Sequence, residues 1–361
     1  MKRRDVLTGA GALALAGCAG PQESAGPDGA AETFEWKMVT TWPPGFPGMQ
    51  TGVMRMVEQI ETASGGRLKI KVYAGGELVP PLEVFDTVSR GTVEMGHGAA
   101  YYWKGKSEAA QFFTTIPFGM TVLEMNGWLY EGGGLDLWRE LYANFNLVPF
   151  PAGNTGVQMG GWFNREINSI ADLKGLRMRI PGIGGEALAR AGGTPVTLPA
   201  SELFTSLQTG VIDASEWVGP YNDQSLGLQE TARYYYSPGW HEPGPTLELI
   251  VNSDALAQLP DDLRMILQLA AATLNETMMA EYTARNADAL AAIEENPDIE
   301  LRRFPDDVIR ELRQYVDEII AELVARDPQA ARINTSFQDW RQKLARWTAL
   351  SEKAYLDTRS L

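Results

Sequence analysis

The 361-residue chain carries 31 lysines and arginines against 46 aspartates and glutamates, a formal net charge of −15, and 44% of its residues are apolar. The acidity argues against nucleic-acid binding and against a basic membrane-docking surface, since both rely on clustered Lys and Arg; the apolar share is ample for two or three folded domains. One cysteine and two histidines leave no material for intrachain disulfides, iron–sulfur clusters or a histidine-rich metal centre.

The first element is a targeting segment. Lys2, Arg3 and Arg4 precede an apolar run over 6–16 that is too short to span a bilayer. The arginine pair has the form of a twin-arginine export signal, and Leu15-Ala16-Gly17-Cys18 that of a bacterial lipoprotein processing box. Residues 1–17 therefore read as a signal peptide directing the chain to the periplasm. Cys18 reads as a lipidation site, and the Pro/Gly-rich stretch 18–33 as a flexible tether.

Hydrophobic periodicity then predicts an α/β organisation. A strand over 34–42, a turn rich in Pro and Gly, a helix over 49–64 and a strand over 68–73 make a first β-α-β unit. A short helix over 82–90 and a strand over 92–95 follow, then a small-residue loop that turns aromatic at Tyr101 and Tyr102. Strands over 148–159, 176–181 and 194–198, with helices over 184–191 and 200–209, form a second α/β unit, and strands over 234–240 and 247–252 return the chain between lobes. From 260 to 296 runs one helical pattern without internal proline, roughly 55 Å long at 1.5 Å per residue and so able to lie along two lobes. Helices over 306–326 and 330–356 make a C-terminal extension.

One spacing recurs. Phe85, Val88, Gly91, Val93 and Glu94 stand at the same intervals as Phe204, Leu207, Gly210, Ile212 and Asp213. Each set reads as helix, glycine cap, then strand with an acid, which predicts one copy of a supersecondary unit per lobe.

Two charges draw attention. Arg179 is flanked by Met178 and Ile180 on a strand-like run. An isolated buried charge is costly, so it needs an anion: a solute carboxylate, or a structural acid such as Asp172 or Asp213. Glu216 follows the apolar run 211–214, read as a buried strand, and precedes Trp217. It thus falls at a strand end, where open α/β sheets bind ligands. Beside Glu242, His241 admits a plain reading as part of a solvated loop pair.

The motifs Gly160-Gly161-Trp162-Phe163, Asp-Leu-Lys-Gly-Leu-Arg-Met-Arg-Ile-Pro-Gly over 172–182 and Leu-Gln-Thr-Gly-Val-Ile-Asp-Ala over 207–214 resemble the solute-binding proteins of tripartite ATP-independent periplasmic (TRAP) transporters. Glu216-Trp217-Val218-Gly219-Pro220 and Trp240-His241-Glu242-Pro243-Gly244 resemble their 2-oxoacid- and lactate-binding branch. The resemblance spans about residues 34–357. It implies a two-lobe α/β fold of the type II-like periplasmic binding protein class, with a long helix spanning both lobes and a helical C-terminal extension. Lobe I would take 34–157 plus about 246–285, and lobe II 158–245 plus about 286–361. The resemblance further implies that Arg179 makes a salt bridge to the carboxylate of a small monocarboxylate such as pyruvate or lactate. A metal ion, Na+ or Ca2+, would be held beside it by Gln158, Glu216, the Trp217 carbonyl and Glu242, with Tyr101 or Tyr102 reaching the solute from the other lobe. The partner would be a sodium-driven membrane permease. Relatives in this branch exchange a C-terminal helix, which leaves a homodimer open.

Elementary chemistry supports this constellation. Arginine offers a planar fork for a carboxylate, and a set of carboxylate, amide and carbonyl oxygens suits hard cations. Glu216, Glu242, Arg179 and a bound monocarboxylate leave two net negative charges, which Ca2+ would neutralise and Na+ would halve. The competing reading is an exported metal-dependent enzyme with Glu216 or Glu242 as base. Against it, the chain shows no local nucleophile motif, no His-Glu-x-x-His and no phosphate-cradling glycine loop.

Overall fold

The computed structural model describes residues 32–359 and Leu361. The signal segment, the Cys18 lipidation site and the tether up to residue 31 lie outside the described residues. In chain order the strands are β1 (Phe34–Thr40), β2 (Leu68–Tyr73), β3 (Met95–Gly98), β4 (Leu147–Asn154), β5 (Gly161–Phe163), β6 (Arg177–Arg179), β7 (Thr194–Val196), β8 (Ala214–Ser215), β9 (Tyr234–Ser237), β10 (Thr246–Asn252) and β11 (Glu300–Arg303). They sort into two sheets, β2-β1-β3-β10-β4 and β7-β6-β8-β5-β9-β11, one per lobe. In β1 the apolar–polar alternation buries Trp36 and Met38 and exposes Glu35 and Lys37, the period-two pattern of a strand with one face in a core. The helix Met49–Ala63 turns Val53, Met56, Val57 and Ile60 inward, at the 3.6-residue period.

The sheets share one plan. Three strands run parallel, β2-β1-β3 in one and β7-β6-β8 in the other. The next strand is antiparallel and arrives from elsewhere in the chain, β10 beside β3 and β5 beside β8. The repeat expected from residue spacing sits at the centre of this plan. Helices Val84–Ser89 and Leu203–Gln208 each run to a glycine at φ +70°, Gly91 and Gly210, before β3 and β8. A positive φ is what glycine supplies at such a turn. The acid that follows fastens the unit to the neighbouring strand: Glu94 accepts the Lys37 N–H at 2.7 Å, and Asp213 accepts the Arg177 N–H at 3.0 Å.

The long helix is Asp261–Glu294, 34 residues, about 51 Å at 1.5 Å per residue. Asp261 and Asp262 in its first turn favour its positive end. It packs on the Met49–Ala63 helix and β4 on one side and on the Pro220–Ser225 helix on the other, so it runs along both lobes. Beyond it, Asp306–Arg326 lies against the helix Gly182–Arg190. The helix Pro328–Thr348 then reaches Val122–Glu131, where Trp340 Nε1 donates to the Glu124 carbonyl at 3.2 Å.

Several local expectations need correction. The run 211–214 is not a buried strand: Val211 is 60% exposed, and only Ala214–Ser215 pairs, because the Gly210 turn uses the preceding residues to reverse direction. The strand expected over 92–95 lies at Met95–Gly98 for the same reason after Gly91. Helices Val122–Glu131 and Gly134–Ala143 and the edge strand β11 went unread. In β11, three of four residues are exposed, so no burial alternation marks it.

Candidate functional site

β6 and β8 run parallel, pairing Met178 with Ala214 and Arg179 with Ser215, and both end at the same edge of the sheet. Arg179 closes β6 and Glu216 follows β8, so topology alone brings a cation and an anion together at the carboxyl ends of parallel strands. Arg179 is 1% exposed and Glu216 fully buried, and Arg179 Nη1 forms an ion pair with Glu216 Oε1. The guanidinium is held from further sides: Nε donates to the Leu198 carbonyl at 3.2 Å and Nη2 to the Tyr102 hydroxyl at 3.2 Å, while Cζ lies 4.8 Å from the Trp217 ring centroid. Burial, the largest influence, lowers the Arg179 pKa, yet Glu216, Tyr102, Tyr101 and Glu242 together outweigh it and hold the group above its ordinary value. The second oxygen of Glu216 lies 3.2 Å from His241 Nε2. Neither expected structural acid partners Arg179. Asp213 pairs with Arg177, and Asp172 accepts the Asn168 and Ser169 N–H groups.

β5 passes close behind Glu216. A Cβ at Gly161, whose φ is +111°, would meet the Ser215 oxygen at 2.7 Å and Glu216 Cα at 3.0 Å, so only glycine fits there. Gly239 plays the same part for Gln158, whose carbonyl oxygen would stand 2.2 Å from an added Cβ. Backbone bonds then stitch Gln158 to Glu242, with the Gln158 N–H donating to the Glu242 carbonyl at 3.1 Å.

Between the lobes lies a small cavity of about 10 Å3, lined by Trp42, Met49, Tyr101, Tyr102, Thr155, Gln158, Trp217, Val218, Glu242, Pro245 and Leu247. That is room for about one water, so the side chains stand closed around the polar atoms that line it. Two of its acceptors are buried and without a hydrogen-bond partner, Gln158 Oε1 and Glu242 Oε2. Burial, and then the charge on Glu216, push the Glu242 carboxyl well above its ordinary range, against a weaker pull from Arg179. Glu216, His241 and Glu242 each offer a ligand atom within 4.8 Å of the others. Acceptors left bare in a dry interior are costly unless a cation or a donor arrives, so this donor set fits a bound metal ion.

Trp42 forms the wall contributed by the first lobe. Its indole N–H donates to His97 Nδ1 at 2.8 Å, and His97 Nε2 in turn faces the Ala152 carbonyl at 2.9 Å. Burial lowers the His97 pKa to about 4, so the ring is neutral and braces Trp42. Trp42 and Phe46 then meet Trp217 edge-on, with centroids 6.4 and 5.9 Å apart.

Every residue expected at the site from the sequence lies in this neighbourhood, in two layers. Gln158, Trp217, Glu242, Tyr101 and Tyr102 line the cavity, while Arg179 and Glu216 stand behind it, engaged with each other. Both tyrosines line the cavity: Tyr102 accepts from Arg179, and Tyr101 feels the charge of Glu242 among the causes that raise its pKa, after burial. His241 and Glu242 are not a solvated pair, since each is 2% exposed. The donor set expected to be all oxygen therefore has an imidazole nitrogen at its edge. Its sequence signal was adjacency in Trp240-His241-Glu242, whereas the role of His97 had none, because its partners lie 55 residues away.

Residues 38–327 match the bacterial extracellular solute-binding protein family 7 (DctP). The chain is 40% identical over 359 residues to the monocarboxylate 2-oxoacid-binding periplasmic protein of Nostoc sp. (strain PCC 7120), with 98% of each chain covered. It is similar to a solved TRAP periplasmic solute-binding protein from Pseudoalteromonas atlantica T6c with bound sodium and pyruvate, at 42% identity and a TM-score of 0.88 over 90% of this chain and 99% of that one. A second, from Colwellia psychrerythraea with bound calcium and pyruvate, gives 42% identity and a TM-score of 0.88 over 91% and 100%. These proteins are receptors, which sets aside the exported-enzyme reading. The chain belongs to bacterial extracellular solute-binding protein family 7, the solute-binding proteins of TRAP transporters.

Proposed function

We propose that this receptor captures a small 2-oxo or 2-hydroxy monocarboxylate, pyruvate first among them, together with Na+ or Ca2+, and delivers it to a TRAP permease. One observation carries the reading: Gln158 Oε1 and Glu242 Oε2 are buried, unpartnered acceptors in a small cavity directly in front of the Arg179–Glu216 pair. Gln158, Glu216, the Trp217 carbonyl and Glu242 would hold the cation, with His241 bracing Glu216. When bound, the cation supplies positive charge that draws Glu216 away from Arg179. Arg179 then presents its free N–H groups to the solute carboxylate, its position kept by the Leu198 carbonyl, Tyr102 and the Trp217 face. The tryptophan and tyrosine walls exclude water, which strengthens each of these charge contacts. The relatives with bound pyruvate support the solute class.

The finer assignments belong to the same proposal. Lobe I takes 34–157 plus about 246–285, and lobe II 158–245 plus about 286–361. Residues 1–17 direct export by a twin-arginine-like signal, and Cys18 carries the lipid. The helices after residue 327 pair two copies, a reading supported by the exposure of Trp347 (67%) and Leu350 (68%) on that tail. Chromatography with light scattering on a chain cut after Arg346, which removes both residues and should run as a monomer, checks the pairing.

A thermal-shift panel tests the function. Pyruvate, lactate and 2-oxobutyrate should raise Tm when Na+ or Ca2+ is present, and succinate should not. A shift with none of the monocarboxylates under any cation would overturn the reading.

A further inference from the structure

We infer that Asn222, which lines no part of the cavity, is a positioning residue for solute retention: its side-chain amide clamps the turn before the first helix onto the loop that bears Glu216 and Trp217. The inference rests on the reading above, in which two lobes close over the solute.

Asn222 sits in the short helix Pro220–Ser225, immediately after the Glu216–Gly219 loop, and is fully buried. Both ends of its amide are used. Nδ2 donates to the Pro47 carbonyl at 3.0 Å, and Oδ1 accepts from the Tyr282 hydroxyl at 2.6 Å. Pro47 belongs to the turn over 43–48 that follows β1. That turn brings Phe46 against the Trp217 ring and leads into Met49, a wall of the cavity. Tyr282 stands on the long helix, packed over Gly48 so closely that a Cβ there would lie 2.8 Å from the ring; Gly48 has φ +73° as well. One amide therefore joins three segments: the first-lobe turn, the second-lobe helix and the helix that runs along both lobes.

The orientation of the amide is not arbitrary. A tyrosine hydroxyl directed at Oδ1 leaves the NH2 end to face Pro47, where a carbonyl without hydrogen needs a donor. The helix itself cannot follow the turn, because Tyr221 N–H donates to Asn286 Oδ1 at 3.0 Å and Gln224 Nε2 to the Ala289 carbonyl at 3.3 Å, both on the long helix. The next residue completes the coupling. Asp223 Oδ1 accepts the N–H groups of Val218 and Gly219 at 3.1 Å each, while Oδ2 takes Trp162 Nε1 at 3.0 Å and the Tyr235 hydroxyl at 2.8 Å. Asn222 thus holds the opposite lobe while Asp223 holds the site loop. Opening the cleft must break the Asn222–Pro47 bond and leave a buried donor and acceptor to find water.

Stopped-flow tryptophan fluorescence on the full chain, with pyruvate and Ca2+ as probes, tests this. Asn222→Asp keeps shape and the Tyr282 bond but turns an acceptor toward the Pro47 carbonyl; release should accelerate by about tenfold or more, with the association rate unchanged. Tyr282→Phe, which removes one hydroxyl and keeps the ring over Gly48, should accelerate release by about threefold, and guards against a folding defect in the first variant. A merely structural role would lower Tm and leave the dissociation rate untouched. Wild-type dissociation rates in both variants would overturn the inference while the proposed function stands; wild-type protein that takes no pyruvate would overturn both.

Discussion

The two lobes place the same supersecondary unit at the same point in their sheets and put different chemistry on it. In the shared spacing, the residue three beyond Glu94 is His97 and the residue three beyond Asp213 is Glu216. On the neighbouring strand, Val39 faces Gly96 in the first lobe where Arg179 faces Ser215 in the second. One lobe therefore holds a neutral imidazole and a valine where the other holds a carboxylate and a guanidinium. The first lobe does bury an acid, Glu248, but keeps it with Trp103 Nε1 at 2.5 Å and the Tyr142 hydroxyl at 2.9 Å rather than with a cation. Charge that must meet an ionic solute is concentrated on one lobe. The other supplies neutral aromatic walls to the same cavity.

The hardest way to break this asymmetry is to remove one charge of the second lobe. Glu216→Gln should abolish cation and acid binding together, by calorimetry. It should also cost roughly 3–5 kcal/mol of stability, because Arg179 is left buried without its partner. Adding Arg179→Met to that variant, which makes the second lobe as neutral as the first, should restore much of the stability in denaturant titration and none of the binding.

A smaller effect distinguishes how each lobe keeps its acid. Burial raises the Glu248 carboxyl from 4.5 to about 7, opposed by the Trp103 and Tyr142 hydrogen bonds. A folded-state pKa above the unfolded one means that the native state binds the extra proton. Stability is then greatest below the unfolded value and declines as pH rises toward 7, by about 3 kcal/mol for this group. Denaturant unfolding of the wild type between pH 4.5 and 8 should show that decline, and Glu248→Gln should make it shallower by about that amount, leaving the part due to Asp223, whose carboxyl burial likewise raises to about 7. The smallest effect belongs to the brace: His97→Gln should cost about 1–2 kcal/mol through the loosened Trp42 bond and lower pyruvate affinity by less than tenfold, by calorimetry and thermal melts.

Much of this architecture was legible in the sequence, for physical reasons that differ by element. The long helix was readable because its apolar period continues without proline from Leu263 to Ile293. The repeated unit showed because a glycine at positive φ and an acid bonding to a neighbouring strand are both fixed by backbone geometry, which tolerates few substitutes at Gly91 and Gly210. Arg179 was found because a charge among apolar strand residues demands an explanation, but its engagement with Glu216 rather than a free approach to the cavity depends on strand pairing that no local pattern contains. The same holds for His97, Trp42 and Asn222, whose partners are brought from 55 to 175 residues away. Burial of His241 follows from the return of the chain beside Gly184, where an added Cβ would stand 3.1 Å from the imidazole's own Cβ.

Titration calorimetry of pyruvate into chelator-stripped protein, before and after Ca2+ or Na+ is restored, bears most directly on the central claim that one lobe's charges capture cation and acid as a unit. The account expects no measurable heat without a cation and tight one-to-one binding once it returns, with Glu216→Gln silent in both states. Pyruvate binding of equal affinity with and without the cation would contradict it.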